Sequence, residues 1–299
     1  MNYFFWKKEI VSLNNRLIFD YSLPQVVMYS DASSVGCGAW TADCGGLIFN
    51  RSWNNTEEGK SSTWRELKGS ALAIEAFVPK ISNKVVKLFT DNKGVVAIVN
   101  KGSMNRELQE LSLGIFKLCR SRNINLQVQW VPREQNTQAD ILSREIDVDD
   151  WGVSKPFFQF VDNLWGPHTV DRFADNFNAK IMKFNSKYWC LGSNQVDAFS
   201  VNWARENNWI VPPISDITRV IKHLKVCKAQ GTLVIPDWPS ATFWPVLFGK
   251  DSPYKDIVTH VIRFCDPTHI FVHGRNHKSL FGSVNMKSHV LCIRINAEL

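Results

Sequence analysis

No stretch of this chain approaches the ~18–20 consecutive apolar residues that a membrane span needs. The N-terminus, MNYFFWKKEIVSLNN, lacks the long apolar core and small-residue cleavage site of a secretory signal. The expectation is an intracellular protein, in cytoplasm or nucleus, with no membrane partner. Cysteine is sparse: seven residues, at 37, 44, 119, 190, 227, 265 and 292, never in a CxxC pair. That spacing supports neither a disulfide framework nor a zinc knuckle. Reduced, buried thiols are expected instead. Histidine is absent from residues 1–150, and all seven lie beyond. Internal repeats and low-complexity segments are also lacking.

What is present bounds the architecture. The 299 residues allow one large domain or two of ordinary size, and 44% hydrophobic against 21% charged composition is enough for a real core. The net charge of +7 is uneven. Residues 1–150 carry 18 basic against 17 acidic residues, whereas residues 151–299 carry 17 against 11. A basic second half is a mild pointer to nucleic acid.

Residues 3–14 read as an amphipathic helix in a connecting segment, 1–23. Three strand-like runs follow, VVMYS, VGCGAWT and GLIFNRSW, with a hairpin turn over residues 43–46. A helix begins near Thr63, with Leu67, Ala71, Ile74 and Val78 on one face and Pro79 as its stop. The spacing then predicts a strand over 84–90, helices over 92–100 and 106–121, a strand over 124–131 and a helix over 136–143. The order βββαβααβα implies an α/β fold: a mixed five-stranded sheet with flanking helices. The acidic EIDVDD at 145–150 is the expected boundary, giving units at 24–145 and 151–299. The second half also alternates strands and helices, with strands expected at TLVIP (232–236) and HIFVHG (269–274).

Four acids stand in parallel contexts. Asp31 ends the first strand, Glu66 lies in the first turn of the first long helix, Asp91 follows the strand KLFT, and Asp140 sits in the last helix. Each also has a local reading. Asp31 suits a turn, Thr63 and Glu66 have capping-box spacing, Asp91 can cap its helix, and Asp140 follows Thr137 by three. Together they admit a different reading, because the ends of the first and fourth strands and the starts of two helices approach one edge. Converging carboxylates repel unless cations offset them. Hard oxygen ligands suit Mg²⁺, with Mn²⁺ as a substitute, and two such ions ~3.5–4 Å apart serve phosphoryl displacement.

SDAS at 30–33, WREL at 64–67, TDN at 90–92 and NTQADILSR at 136–144 resemble, in order, the four acidic motifs of the ribonuclease H family. WVPREQNTQADILSR (130–144) is similar to the end of that domain in retroelement reverse transcriptases. The resemblance covers residues 24–144. It implies that Asp31, Glu66, Asp91 and Asp140 bind metal and catalyse hydrolysis of the RNA strand of an RNA–DNA hybrid, beside a reverse transcriptase polymerase. A catalytically inactive nucleic-acid-binding remnant of the same fold is the alternative. Cellular members carry a histidine before the last acid. Its absence here implies slower or less independent turnover. Lys93, Lys101 and Arg106 are candidate phosphate contacts, and Ser33 and Asn92 candidate partners of a 2′-hydroxyl.

Residues 151–277 resemble the region after ribonuclease H in tyrosine-recombinase retroelements of the DIRS and Ngaro type, through WGPHTVDRFADNFNAK, VDAFSVNW, WIVPPIS and TLVIPDWPSATFWPVLF. That region is similar to phage-type DNA adenine methyltransferases, which implies a second α/β, Rossmann-like unit. Asp171 and Asp175 match the acidic strand end, and Pro212 and Pro213 the two prolines of the catalytic motif. Val211 replaces the amide or carboxylate acceptor and Ile214 the stacking aromatic. Valine cannot accept a hydrogen bond and isoleucine cannot stack a flipped base. No methyl transfer and no S-adenosylmethionine are expected, and DNA is a further candidate partner. The tryptophans of this half are expected to pack in the core. His273 and His277, four apart, are a weak candidate metal pair on a helix.

Overall fold

The computed structural model describes residues 7, 23–43, 45–147, 149, 151–249, 253–275, 281 and 288–298. The helix expected over 3–14 and the connecting segment fall outside these, save Lys7 and Leu23.

The first unit is built on strands β1 (Val26–Ala32), β2 (Gly36–Thr41), β3 (Ile48–Ser52), β4 (Val85–Thr90) and β5 (Asn125–Trp130), in the sheet order β3-β2-β1-β4-β5. The β1–β2 and β2–β3 pairs are antiparallel, whereas β1–β4 and β4–β5 are parallel. Alternation explains β4: Val86, Leu88 and Thr90 are buried and the residues between them are less so. The hairpin turn forms as expected, with Gly45 and Gly46 at positive φ and Asp43 accepting the Val27 N–H.

Helix α1 (Asn55–Glu58) was not expected. It is short, and an Asn54–Glu57 capping box holds it. Helix α2 (Ser62–Ile81) buries Leu67, Ile74, Phe77 and Ile81 against the sheet. Ser61 caps it, not the expected Thr63–Glu66 box. Nor does Pro79 stop it. In the last turn a proline forfeits one backbone bond, and the Ser82 N–H still reaches Val78 O while Ile81 fills the core. Helices α3 (Lys93–Lys101), α4 (Arg106–Ser121) and α5 (Thr137–Arg144) complete the unit within a residue or so of expectation.

The second unit opens with β6 (Trp151–Val153) and α6 (Lys155–Trp165). Next come β7 (Val170–Asp171), β8 (Asn185–Ser186), β9 (Gln195–Val196), β10 (Asn207–Ile210), α7 (Ile217–Cys227), β11 (Gln230–Pro236), α8 (Trp244–Leu247), β12 (Val258–Phe264), β13 (Phe271–His273) and β14 (Val290–Asn296). Its main sheet runs β12-β14-β11-β10-β7. β7, β10 and β11 are parallel, and β14 is antiparallel to both β11 and β12. The expected strand at 232–236 lies within β11. The one at 269–274 is β13, but it pairs with β6, apart from the main sheet. The helical His273–His277 metal pair is therefore corrected: His273 is in a strand, where i and i+4 do not share a helical face, and His277 lies outside the described residues. Trp203 and Trp209 are fully buried, as expected of core residues.

The acidic boundary is crossed by a later segment. Trp189 packs against the first unit's core, its N–H bonds to Ile48 O at 3.0 Å, and the Tyr188 hydroxyl donates to Glu145 at 2.6 Å.

Candidate metal centre and nucleic-acid interface

Strand register sets the site. The parallel β1–β4 ladder pairs Tyr29 with Phe89, so Asp31 and Asp91, each two residues further on, leave the sheet at the same end. Helix α2 packs across β1 and brings Glu66 in its second turn to that end. A Ser30 Oγ···Ser70 Oγ contact of 2.9 Å ties the two elements together. Ligand oxygens of Asp31, Glu66 and Asp91 lie within 4.8 Å of one another.

None of the capping readings holds for these acids. Asn92 caps α3 through Oδ1 to the Val95 N–H. The Asn136 amide reaches across to Ser30 O at 3.0 Å, anchoring α5 on β1. The carboxylates are thus free of helix-capping duty. Burial, more than anything else, raises the Asp31, Glu66 and Asp91 carboxyls above their ordinary range, and the neighbouring carboxylates add to it, with Glu66 pushed up to about 9. Glu66 Oε2 is buried with no partner. Three crowded acids, one with an orphaned oxygen, fit a hard divalent cation. An oxygen-only donor set suits Mg²⁺ or Mn²⁺ better than zinc.

Asp140 is placed differently. Arg144 donates to it through Nε and Nη2, both at 2.9 Å, and Arg133 through Nη2 at 2.6 Å. These guanidinium bonds, Arg144 first, hold its carboxyl below the usual range. Its charge still acts on Asp31 and Asp91. Asp140 therefore borders the three-acid cluster with its oxygens occupied by two arginines.

Ser143 of α5 donates its hydroxyl to Asp31 Oδ2 at 2.6 Å. Trp130, at the end of β5, donates Nε1 to Asp91 O at 2.9 Å, and Lys93 Nζ stands 4.6 Å from its ring centroid. Sequence reasoning missed Arg133, Ser143, Arg144 and Trp130 as site residues. Only the i,i+4 spacing of Asp140 and Arg144 was a legible signal.

The candidate nucleic-acid contacts are scattered in kind. Lys93 is exposed beside Asp91, Lys101 is exposed at the end of α3, and Arg106 is exposed but paired with Glu110. The Ser33 hydroxyl donates to Ser143 O at 2.6 Å and Asn92 Oδ1 is the α3 cap, so both are engaged within the fold.

In the second unit Asp171 ends β7, buried, its Oδ2 accepting the Lys180 N–H at 3.0 Å. Burial pushes its carboxyl up to about 6. Asp175 lies 3.7 Å from Arg275. Val211 and Pro212 are buried just past β10, Pro213 is partly so, and Ile214 packs against two apolar clusters of this unit, around Ile217 and around Trp209.

Residues 26–146 match the family model described as reverse transcriptase-like. No curated protein matches the chain. Among solved structures, ribonuclease H1 of the halophilic archaeon Halobacterium salinarum is similar, at 18% identity over 39% of this chain and 92% of that one, with a TM-score of 0.34. The N-terminal ribonuclease H domain of a Mycobacterium tuberculosis protein is 20% identical over 40% and 91%, with a TM-score of 0.34. The foamy viral protease–reverse transcriptase in complex with RNA/DNA hybrid is 15% identical over 48% of this chain and 26% of that one, with a TM-score of 0.32. The family match thus takes in the whole unit that gathers the carboxylates, and residues 151–299 stand outside it.

Proposed function

We propose that this protein is a divalent-cation-dependent nuclease that hydrolyses the RNA strand of RNA–DNA hybrids, and that it works beside a reverse transcriptase polymerase in a retroelement of the DIRS or Ngaro type. The observation that carries the reading is the gathering of Asp31, Glu66 and Asp91 at one sheet end, within 4.8 Å. The reverse transcriptase-like match over the same residues supports it. Asp31, Glu66 and Asp91 would hold the cations, with Asp140 at their border. When bound, two such ions neutralise the scissile phosphate and activate water. The chain's own groups do the rest. Ser143 holds Asp31 in one orientation, Trp130 fixes the backbone at Asp91, and Arg133 sets a positive charge next to where a phosphate would lie. Lys93 and Lys101 supply sequence-independent backbone contacts.

The second unit supports the related reading of a methyltransferase-like domain without methyl transfer. Asp171 ends β7 and Pro212–Pro213 lie just past its parallel neighbour β10, with Trp209 paired to Asp171, but the acceptor and the stacking ring are replaced by Val211 and Ile214.

The test is cleavage of a labelled hybrid in Mg²⁺ and in Mn²⁺ by the full chain and by Asp91→Asn. The wild type is expected to cut the RNA strand, and the variant to fall by roughly a hundredfold or more, as loss of a cation ligand entails. Equal rates would refute the assignment. Hybrid binding with no cleavage in either metal would favour the inactive binding remnant.

A further inference from the structure

Asp31 does not offer its two oxygens equally to a cation. Ser143 donates its hydroxyl to Oδ2 at 2.6 Å. The same hydroxyl lies 2.9 Å from Asp140 O, but it has one proton, and the shorter, charge-assisted bond is the one to the carboxylate. Ser143 is fully buried and pinned from several sides. Its carbonyl accepts the Ser33 hydroxyl at 2.6 Å, and Asn50 Nδ2 donates to the preceding carbonyl, Leu142 O, at 2.6 Å. Its backbone N lies so near β2 that a Cβ on Gly38 would stand 2.6 Å from it. The donor is therefore fixed in place, and with it the rotation of the Asp31 carboxylate. Glu66 is presented in a similar way, its carboxylate supported by the Ala32 backbone N–H and its Oε2 left without a partner.

Cations differ in what they ask of a carboxylate. Ca²⁺ takes about 6–8 oxygens at ~2.3–2.6 Å in flexible geometry and accepts both oxygens of one carboxyl group. Mg²⁺ demands a near-ideal octahedron at ~2.0–2.1 Å and keeps several waters, so the narrow bite of a two-oxygen chelate fits it poorly. A protein hydrogen bond to a ligating carboxylate orients it and tunes the metal it holds. With Oδ2 held by Ser143, Asp31 presents Oδ1 as a single ligand, the mode that suits Mg²⁺. We propose that Ser143 is a positioning residue that sets the cation preference of the three-acid cluster, favouring Mg²⁺ over Ca²⁺ by denying the larger ion a two-oxygen grip on Asp31. This role rests on the reading of Asp31, Glu66 and Asp91 as cation ligands, and not on which strand is cut.

The test is calorimetric titration of the full chain with Mg²⁺ alone and with Ca²⁺ alone, for the wild type, Ser143→Ala and Ser143→Cys. The cysteine nearly keeps the volume but is a much weaker donor, and it carries the test should Ser143→Ala fail to fold. The quantity read is the ratio of the Ca²⁺ to the Mg²⁺ dissociation constant. Freeing Oδ2 is expected to tighten Ca²⁺ and weaken Mg²⁺, so that the ratio falls roughly tenfold in both variants. A merely structural role would loosen the site for both cations together and leave the ratio where it was. An unchanged or raised ratio overturns the inference, and so does a wild type that binds neither cation. Hybrid cleavage by the same samples keeps the two readings apart. If the ratio shifts as expected but the wild type cuts no hybrid, the nuclease reading fails alone. If the wild type cuts hybrid and the variants keep its ratio, the role of Ser143 fails alone.

Discussion

At the scale of one residue, Glu66 sets stability against the cation-binding role proposed for it. It is buried, one oxygen lacks a partner, and its carboxyl is raised from 4.5 to about 9. The folded chain therefore keeps a proton that the unfolded chain sheds above 4.5. Without cations, this group makes stability fall as pH climbs from about 4.5 to about 9. Glu66→Gln removes the titration. At pH 7 it should raise stability by roughly 1–3 kcal/mol, flatten the pH slope and abolish hybrid cleavage. Melting curves from pH 5 to 9, with and without Mg²⁺, check this. Mg²⁺ should stabilise the wild type and much less the variant. Identical melting at every pH would mean that Glu66 feels no such environment.

At the scale of elements, two glycines of β2 decide where α5 sits. A Cβ on Gly38 would lie 2.4 Å from Leu142 Cβ and 2.6 Å from Ser143 N, and one on Gly36 3.3 Å from Ser143 O. Gly38 also pairs with Asp31 in the β1–β2 register. The helix that carries Asp140, Ser143 and Arg144 rests on bare strand backbone at this point, directly beside the first carboxylate. Gly38→Ala forces α5 outward. We expect a loss of about 1–3 kcal/mol and a drop in cleavage larger than the loss of folded protein. Activity corrected for the folded fraction, measured well below the melting temperature, separates the two effects. A variant with normal specific activity would show that α5 can shift without cost to the site. The elements themselves were largely legible from periodicity, since α4 and β4 carry clear stripes. Pro79 misled because a proline in a last turn is tolerated, and α1 was missed because a four-residue helix has no period to read.

At the scale of the whole molecule, the chain boundary and the spatial boundary differ. EIDVDD marks a change of composition, yet residues 188 and 189 return from the second unit to the first. Trp189 packs on the first core and lies 5.5 Å from Lys80 Nζ. This docking is expected to couple the two units in unfolding. Trp189→Ala should cost about 1–3 kcal/mol at the interface and resolve one calorimetric transition into two. A single unchanged transition would show that the coupling runs through other contacts.

By itself the sequence determined the strands and the four longer helices of the first unit, the apolar faces they bury, and four acids on the element ends that such a fold brings to one edge. These are local matters: periodicity, turn chemistry and the run of the chain. Only the tertiary structure decided that Asp31, Glu66 and Asp91 crowd together while Asp140 is claimed by Arg133 and Arg144, that Asn92 and Ser61 relieve the acids of capping, and that Trp189 joins the units. Those outcomes rest on register and on distances between residues far apart in the chain, which pattern and spacing along a sequence do not encode.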